Sequence, residues 1–167
     1  NNGVTVGKSF GSNSNDSACV IWKNGVPQTL YSSADLDGCD VSDINDSEAV
    51  SGWSVVKAFN KYHAIKWQSG NWFDLGVLEN GVISKGYSIN NFGVVAGYST
   101  ILDEEHAVSG SGPFDDLGTL SPGRRSWAIS INDFGRVAGD ANTSGFLGRH
   151  AFFWDGSMHD LGTLPGY

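Results

Sequence analysis

The sequence predicts an all-β chain, a β-propeller-like array of four-stranded antiparallel meander repeats, and three observations carry that prediction. The first is an internal repeat. The pattern Ile-Asn-Asp/Asn-Phe-Gly, running on through Val and Ala to Gly, occupies residues 130–139 and 88–97; a degraded copy lies at 43–52 and the second half of another at 1–7. The second is its spacing: the closing glycines Gly7, Gly52, Gly97 and Gly139 are 45, 45 and 42 residues apart, a period typical of propeller blades. The third is composition, with 23 glycines, one methionine and many Val, Ser, Asn and aromatic residues, which suits short strands and tight turns better than helices. A β-sandwich or an open β-solenoid built from the same meanders is the alternative architecture.

Each unit reads as four strands. The first is Val4-Thr5-Val6 and its counterparts at 49–51, 94–96 and 137–138, each ending at glycine. The second holds Cys19-Val20-Ile21-Trp22 and the runs headed by His63, His106 and His150. Turns at Asn24-Gly25, Ser69-Gly70 and Asp155-Gly156 follow, where Gly or Asn adopts positive φ. The third strand carries Asp74-Leu75-Gly76, Asp116-Leu117-Gly118 or Asp160-Leu161-Gly162. The fourth, at 39–44, 84–89 and 126–131, runs into the Asn-Asp/Asn turn, which reads as the joint to the next unit through Asn in an unusual backbone conformation. From the Leu of the third strand to that Asn is 15 residues in every complete copy: Leu30 to Asn45, Leu75 to Asn90, Leu117 to Asn132. The chain thus reads as one repeat domain over 1–167, with units at about 1–45, 46–90, 91–132 and 133–167. One of about four units is incomplete, with four copies of three strands and three of the fourth. That predicts an exposed sheet edge and a homo-oligomer or filament formed through it.

Small residues share slots where sheets would approach: Cys19, Ala64, Ala107 and Ala151 in one, Val41, Gly86 and Ala128 in another. Cys19 and Cys39 are the only cysteines, without metal spacing, and a disulfide tying adjacent sheets is expected, with two buried thiols as the other reading.

The motifs His150-Ala151-Phe152-Phe153-Trp154-Asp155-Gly156, Asp160-Leu161-Gly162-Thr163-Leu164 and Ile131-Asn132-Asp133-Phe134-Gly135 resemble the HAF-repeat family of probable extracellular repeat proteins. The likeness covers nearly the whole chain and is weakest in the first unit, where Ala18 replaces His and Thr29 replaces Asp. It implies a secreted or cell-surface bacterial protein with a propeller-like fold, and no catalytic activity to carry over.

The net charge of −8, with ten scattered Lys and Arg, excludes a nucleic-acid partner, and no apolar run is long enough to insert into a membrane. His63, His106 and His150 recur at one slot, as do Asp74, Asp116 and Asp160, which assigns both to structure, since a catalytic group is needed once. No nucleophile elbow, zinc-protease helix or phosphate loop occurs. Glu104-Glu105, in a segment read as an exposed loop, and Asp115-Asp116 are adjacent carboxylates that would point to opposite faces of a strand.

Ligand chemistry in a repeat protein belongs where units differ. Trp53, Trp72 and Trp127 are unshared, and with Phe92 and Phe134 at turn tips they are candidates for stacking on sugar rings. Asp35, Asp37, Asp40 and Asp43 offer oxygens of the kind calcium takes, with a solvated acidic loop as the bland reading. The expected function is a non-catalytic extracellular structural or interaction module. The alternative is a carbohydrate-binding or glycan-degrading propeller protein with a polysaccharide partner.

Overall fold

A computed structural model describes residues 3–10, 17–30, 35–144 and 148–164. They form fifteen described strands: β1 Thr5–Phe10, β2 Ser17–Lys23, β3 Val26–Thr29, β4 Leu36–Ile44, β5 Val50–Val56, β6 Lys61–Gln68, β7 Asn71–Asp74, β8 Ser84–Ile89, β9 Val95–Ile101, β10 Glu104–Gly110, β11 Asp115–Gly118, β12 Ser126–Ile131, β13 Val137–Ser144, β14 Gly148–Trp154 and β15 Met158–Gly162. They pair into four antiparallel meanders, β1–β3, β4–β7, β8–β11 and β12–β15. Four separate small sheets fit neither a sandwich nor a solenoid. Among the described residues no helix is long and apolar enough to cross a membrane.

The sheets are offset by one strand from the repeat units. The Ile-Asn strand pairs with the strand after it, Ile44 with Val50, Ile89 with Val95 and Ile131 with Val137, so the Asn turn is a hairpin inside a sheet. The joint between sheets is instead the segment after Leu-Gly. Positive φ in the hairpin falls on Glu48, Gly93 and Gly135. The asparagine contributes through its side chain, since Asn90 Oδ1 accepts the N–H groups of Phe92 and Val94, and Asn45 and Asn132 repeat this. The structure also corrects the reading of 101–105 as an exposed loop. Leu102 and Asp103 make a tight turn, and Glu104 and Glu105 open β10.

The closing glycines lie within strands, since β5, β9 and β13 run several residues past them. The reason is a bulge in each first strand, where Ser42, Tyr87 and Ile129 are the extra residues. The bulge brings the partner backbone so close that a Cβ at Gly52, Gly97 or Gly139 would fall on the carbonyl oxygen of Asp40, Lys85 or Trp127.

Three apolar clusters fill the three seams between sheets. Cys19, Ile21, Leu36, Cys39 and Ile65 join the first two sheets, Ala64, Leu75, Ile89 and Val95 the middle pair, and Ala107, Leu117, Ala128 and Phe152 the last two. A polar clamp recurs beside them. Ser84 Oγ accepts the Ala64 N–H at 2.8 Å and donates to the Gly76 carbonyl, and Ser126 does the same with Ala107 and Gly118. The corresponding pair in the first seam is Cys19 and Cys39, joined by the predicted disulfide with Cα atoms 6.0 Å apart. A covalent bridge thus stands where the other seams carry a hydrogen bond.

Candidate functional site

The repeated polar residues are consumed by the scaffold. Nδ1 of His63, His106 and His150 lies 2.9–3.0 Å from the carboxylates of Asp74, Asp116 and Asp160, linking the last two strands of the second, third and fourth sheets. The same carboxylates accept the N–H of Gly76, Gly118 and Gly162. Burial pushes the Asp74 carboxyl up, but the bonds from His63 and Gly76 outweigh it and hold it below the usual carboxylate range. Asp160 is also lowered, by the Gly162 N–H first and His150 next. Across sheets, Asn45 Nδ2 donates to the Asn90 carbonyl and Asn90 Nδ2 to the Asn132 carbonyl. Asn91 Nδ2 lies between the carboxylates of Asp46 and Asp133.

Among the described residues no histidine sits in a Ser–His–Asp relay. Ser157 Oγ and Asp155 both meet Nε2 of His159, at 3.1 and 2.9 Å, whereas a relay needs the acid and the nucleophile on opposite ring nitrogens. His106 has carboxylates at both nitrogens, Asp116 and Glu104, and no hydroxyl partner among the described residues.

What remains is a band at the seams in which every unit differs. Four slots compose it: Asp40, Lys85 and Trp127 in the first strands; Ser42, Tyr87 and Ile129 at the bulges; Lys8, Trp53, Tyr98 and Asp140 after the glycines; and Tyr62, Glu105 and Arg149 before the histidine slot. Register sets Asp40 opposite Trp53, Lys85 opposite Tyr98 and Trp127 opposite Asp140. The contacts change from seam to seam. Lys8 pairs with Asp40 at 3.1 Å. Lys85 Nζ sits 4.9 Å from the Trp53 ring centre and 5.4 Å from that of Tyr62. Tyr87 meets Trp53 edge-on at 6.1 Å and Tyr98 at 5.9 Å. The Arg149 guanidinium covers Trp127 at 4.3 Å and pairs with Asp140. Arg125 lies 3.8 Å from Glu105. Tyr87, Trp127, Ile129 and Arg149 line an open depression of about 520 Å³. Burial raises the Tyr98 hydroxyl to about 12, helped by Tyr87 and Glu105, and burial, Glu105 and Asp140 raise Tyr87, so both phenols stay neutral donors.

Of the predicted site residues, Trp53 and Trp127 belong to this band. Trp72 packs against the core of the first seam. Phe92 and Phe134 project at the Asn hairpins, 76% and 86% exposed. The four aspartates are not drawn together: Asp40 is taken by Lys8, Asp43 accepts from Ser88 and the Ile89 N–H, and among the described residues no three potential ligands gather for a metal. Tyr62, Lys85, Tyr87 and Arg149 were missed. Aligning the four units column by column marks them, because each occupies a slot filled differently in every unit.

Among solved structures, the β-propeller domain of the Trilobed protease from Pyrococcus furiosus, described by its open velcro topology, matches with a TM-score of 0.58 at 14% identity, over 88% of this chain and 43% of that one. Pyrococcus horikoshii acylaminoacyl peptidase matches with a TM-score of 0.61 at 14% identity, over 96% of this chain and 25% of that one. The chain has a β-propeller fold. It spans less than half the length of each of these neighbours, and identity at this level transfers the fold alone. No family model and no curated protein sequence matches it. In propeller terms, β4, β8 and β12 are the first strands of their blades, and the variable band follows the seams between blades.

Proposed function

We propose that this chain is a non-catalytic interaction module working outside the cell, with the variable band as its binding surface. One observation carries the reading: the shared His, Asp, Asn and Ser groups are spent on scaffold bonds, while the unshared aromatic and charged groups collect in one band. The disulfide supports an oxidising compartment, as does the resemblance to extracellular HAF-repeat proteins. Adhesion of the purified chain to the extracellular matrix of the producing organism tests it. Trp53→Ala with Trp127→Ala should abolish adhesion, and Phe92→Ser with Phe134→Ser should leave it intact. Release of reducing ends or of peptides from that matrix by the chain would overturn the non-catalytic reading.

Self-assembly is a second reading, supported by the last blade. Leu117 and Leu120 are buried in a seam, whereas their counterparts Leu161 and Leu164 are 63% and 74% exposed. On this reading a blade of a second copy would cover that face by the packing that the three internal seams use.

A further inference from the structure

Lys85 is unlike the other cations of the band. Lys8 is paired with Asp40, Arg125 with Glu105 and Arg149 with Asp140, so three of the four are neutralised in place. The Lys85 ammonium instead lies over the Trp53 and Tyr62 rings with no carboxylate partner among the described residues. In a chain of net charge −8 this leaves a local surplus of one positive charge, seated on aromatic faces that hold it in place without cancelling it. Next to it the depression of Tyr87, Trp127, Ile129 and Arg149 offers ring faces and an aliphatic side chain. It also offers two neutral hydroxyl or N–H donors, from Tyr87 and Trp127. The carboxylates of Glu105 and Asp140, close enough to act on Tyr87, add acceptors.

A ligand matched to this set has an apolar ring face for the aromatic side chains, hydroxyls that donate to Glu105 and Asp140, and one negative charge for Lys85. A pyranose carrying a carboxylate has all three. An acidic peptide, with a charge at most residues, would meet only one cation of the band without a carboxylate partner among the described residues, Lys85, and has no hydroxyl rim for Glu105 and Asp140. Resting on the reading of the band as the binding surface, we infer that it binds uronic-acid-containing polysaccharide, the carboxylate on Lys85 and the sugar ring in the Tyr87–Trp127 depression.

The test is calorimetric titration of the intact chain with an oligogalacturonate and with its fully methyl-esterified form, which keeps the rings and removes the charge. The acid should bind about tenfold tighter than the ester, the ratio one charge-assisted contact gives. Lys85→Met should reduce the acid to the level of the ester, Lys85→Arg should keep the preference, and Trp127→Ala should weaken both. Equal binding of acid and ester overturns the inference, as does a preference unmoved by Lys85→Met, or polyglutamate bound as tightly as the oligogalacturonate. Loss of all oligogalacturonate binding also overturns it. The matrix adhesion that depends on Trp53 and Trp127 would stand in that case, so the two readings fail separately.

Discussion

At the scale of single residues, the repeat is a record of what the backbone tolerates. Gly97 faces the Lys85 carbonyl at a bulge, and any side chain there must push two strands apart. Gly97→Ala should lower stability by about 2–3 kcal/mol, read from the urea midpoint. Gly7→Ala should cost less, since its Cβ would meet only the Trp22 ring, at 3.3 Å. Asn91 donates to Asp46 and Asp133, so Asn91→Asp removes the donors and sets three carboxylates together. That variant should have a lower urea midpoint at pH 7 and recover part of the loss near pH 3, where protonation restores a donor and relieves the repulsion. The His–Asp links give the wild type the opposite dependence. Asp74 and Asp160 are depressed in the folded chain, so their contribution is complete above the unfolded carboxylate value of about 3.9 and is lost as pH falls through their lower folded values. Urea midpoints at pH 6 and pH 3 should show that drop, and Asp74→Asn should make it smaller.

At the scale of elements, the seam shows one slot served by two chemistries. Where Ser84 and Ser126 clamp the N–H groups of Ala64 and Ala107, the first seam has Cys39 bonded to Cys19. Closing a loop of about 20 residues is worth about 3 kcal/mol, and a buried hydrogen bond about 1 kcal/mol. Cys19→Ala with Cys39→Ala should therefore cost about 3 kcal/mol, and Cys19→Ala with Cys39→Ser, which rebuilds the serine clamp, about 2 kcal/mol, both measurable by denaturant unfolding. The strands and their turns were legible because repeated runs of Val, Ile and aromatic residues and the Asn-Gly or Ser-Gly turns between them report local backbone. The sheet boundary was not, because a repeat has no intrinsic start, and pairing of Ile89 with Val95 is a fact of three dimensions that the spacing of 15 residues leaves open. Strand ends were misplaced at the glycines for a related reason. Glycine normally punctuates, and only the opposing carbonyl at the bulge shows why it stands mid-strand here.

At the scale of the molecule, the candidate site was half legible. Unshared Trp53 and Trp127 could be marked from sequence, but Lys85, Tyr87 and Arg149 become a site only when seams bring different units together, and Trp72 is unshared yet spent on packing. The same comparison between units exposes the last blade. Ala107, Leu117 and Leu120 are covered by the following blade, while Ala151, Leu161 and Leu164 are exposed. A contact made by this face with the first blade of another copy is heterologous, so it closes into a ring if the rotation allows and otherwise extends as a filament. Burying those two leucines would contribute on the order of 3 kcal/mol to association, since each side chain is worth about 1.5–3 kcal/mol. Sedimentation of the wild type should then show a mass that rises with concentration. Leu161→Ser with Leu164→Ser should return it to a monomer, and at concentrations low enough for the wild type to be monomeric the two should unfold at nearly the same midpoint, because most of both side chains is exposed within the chain. A wild type that stays monomeric at high concentration, or a double variant that assembles equally well, would remove self-assembly from the reading and leave the variable band as the binding surface of the module.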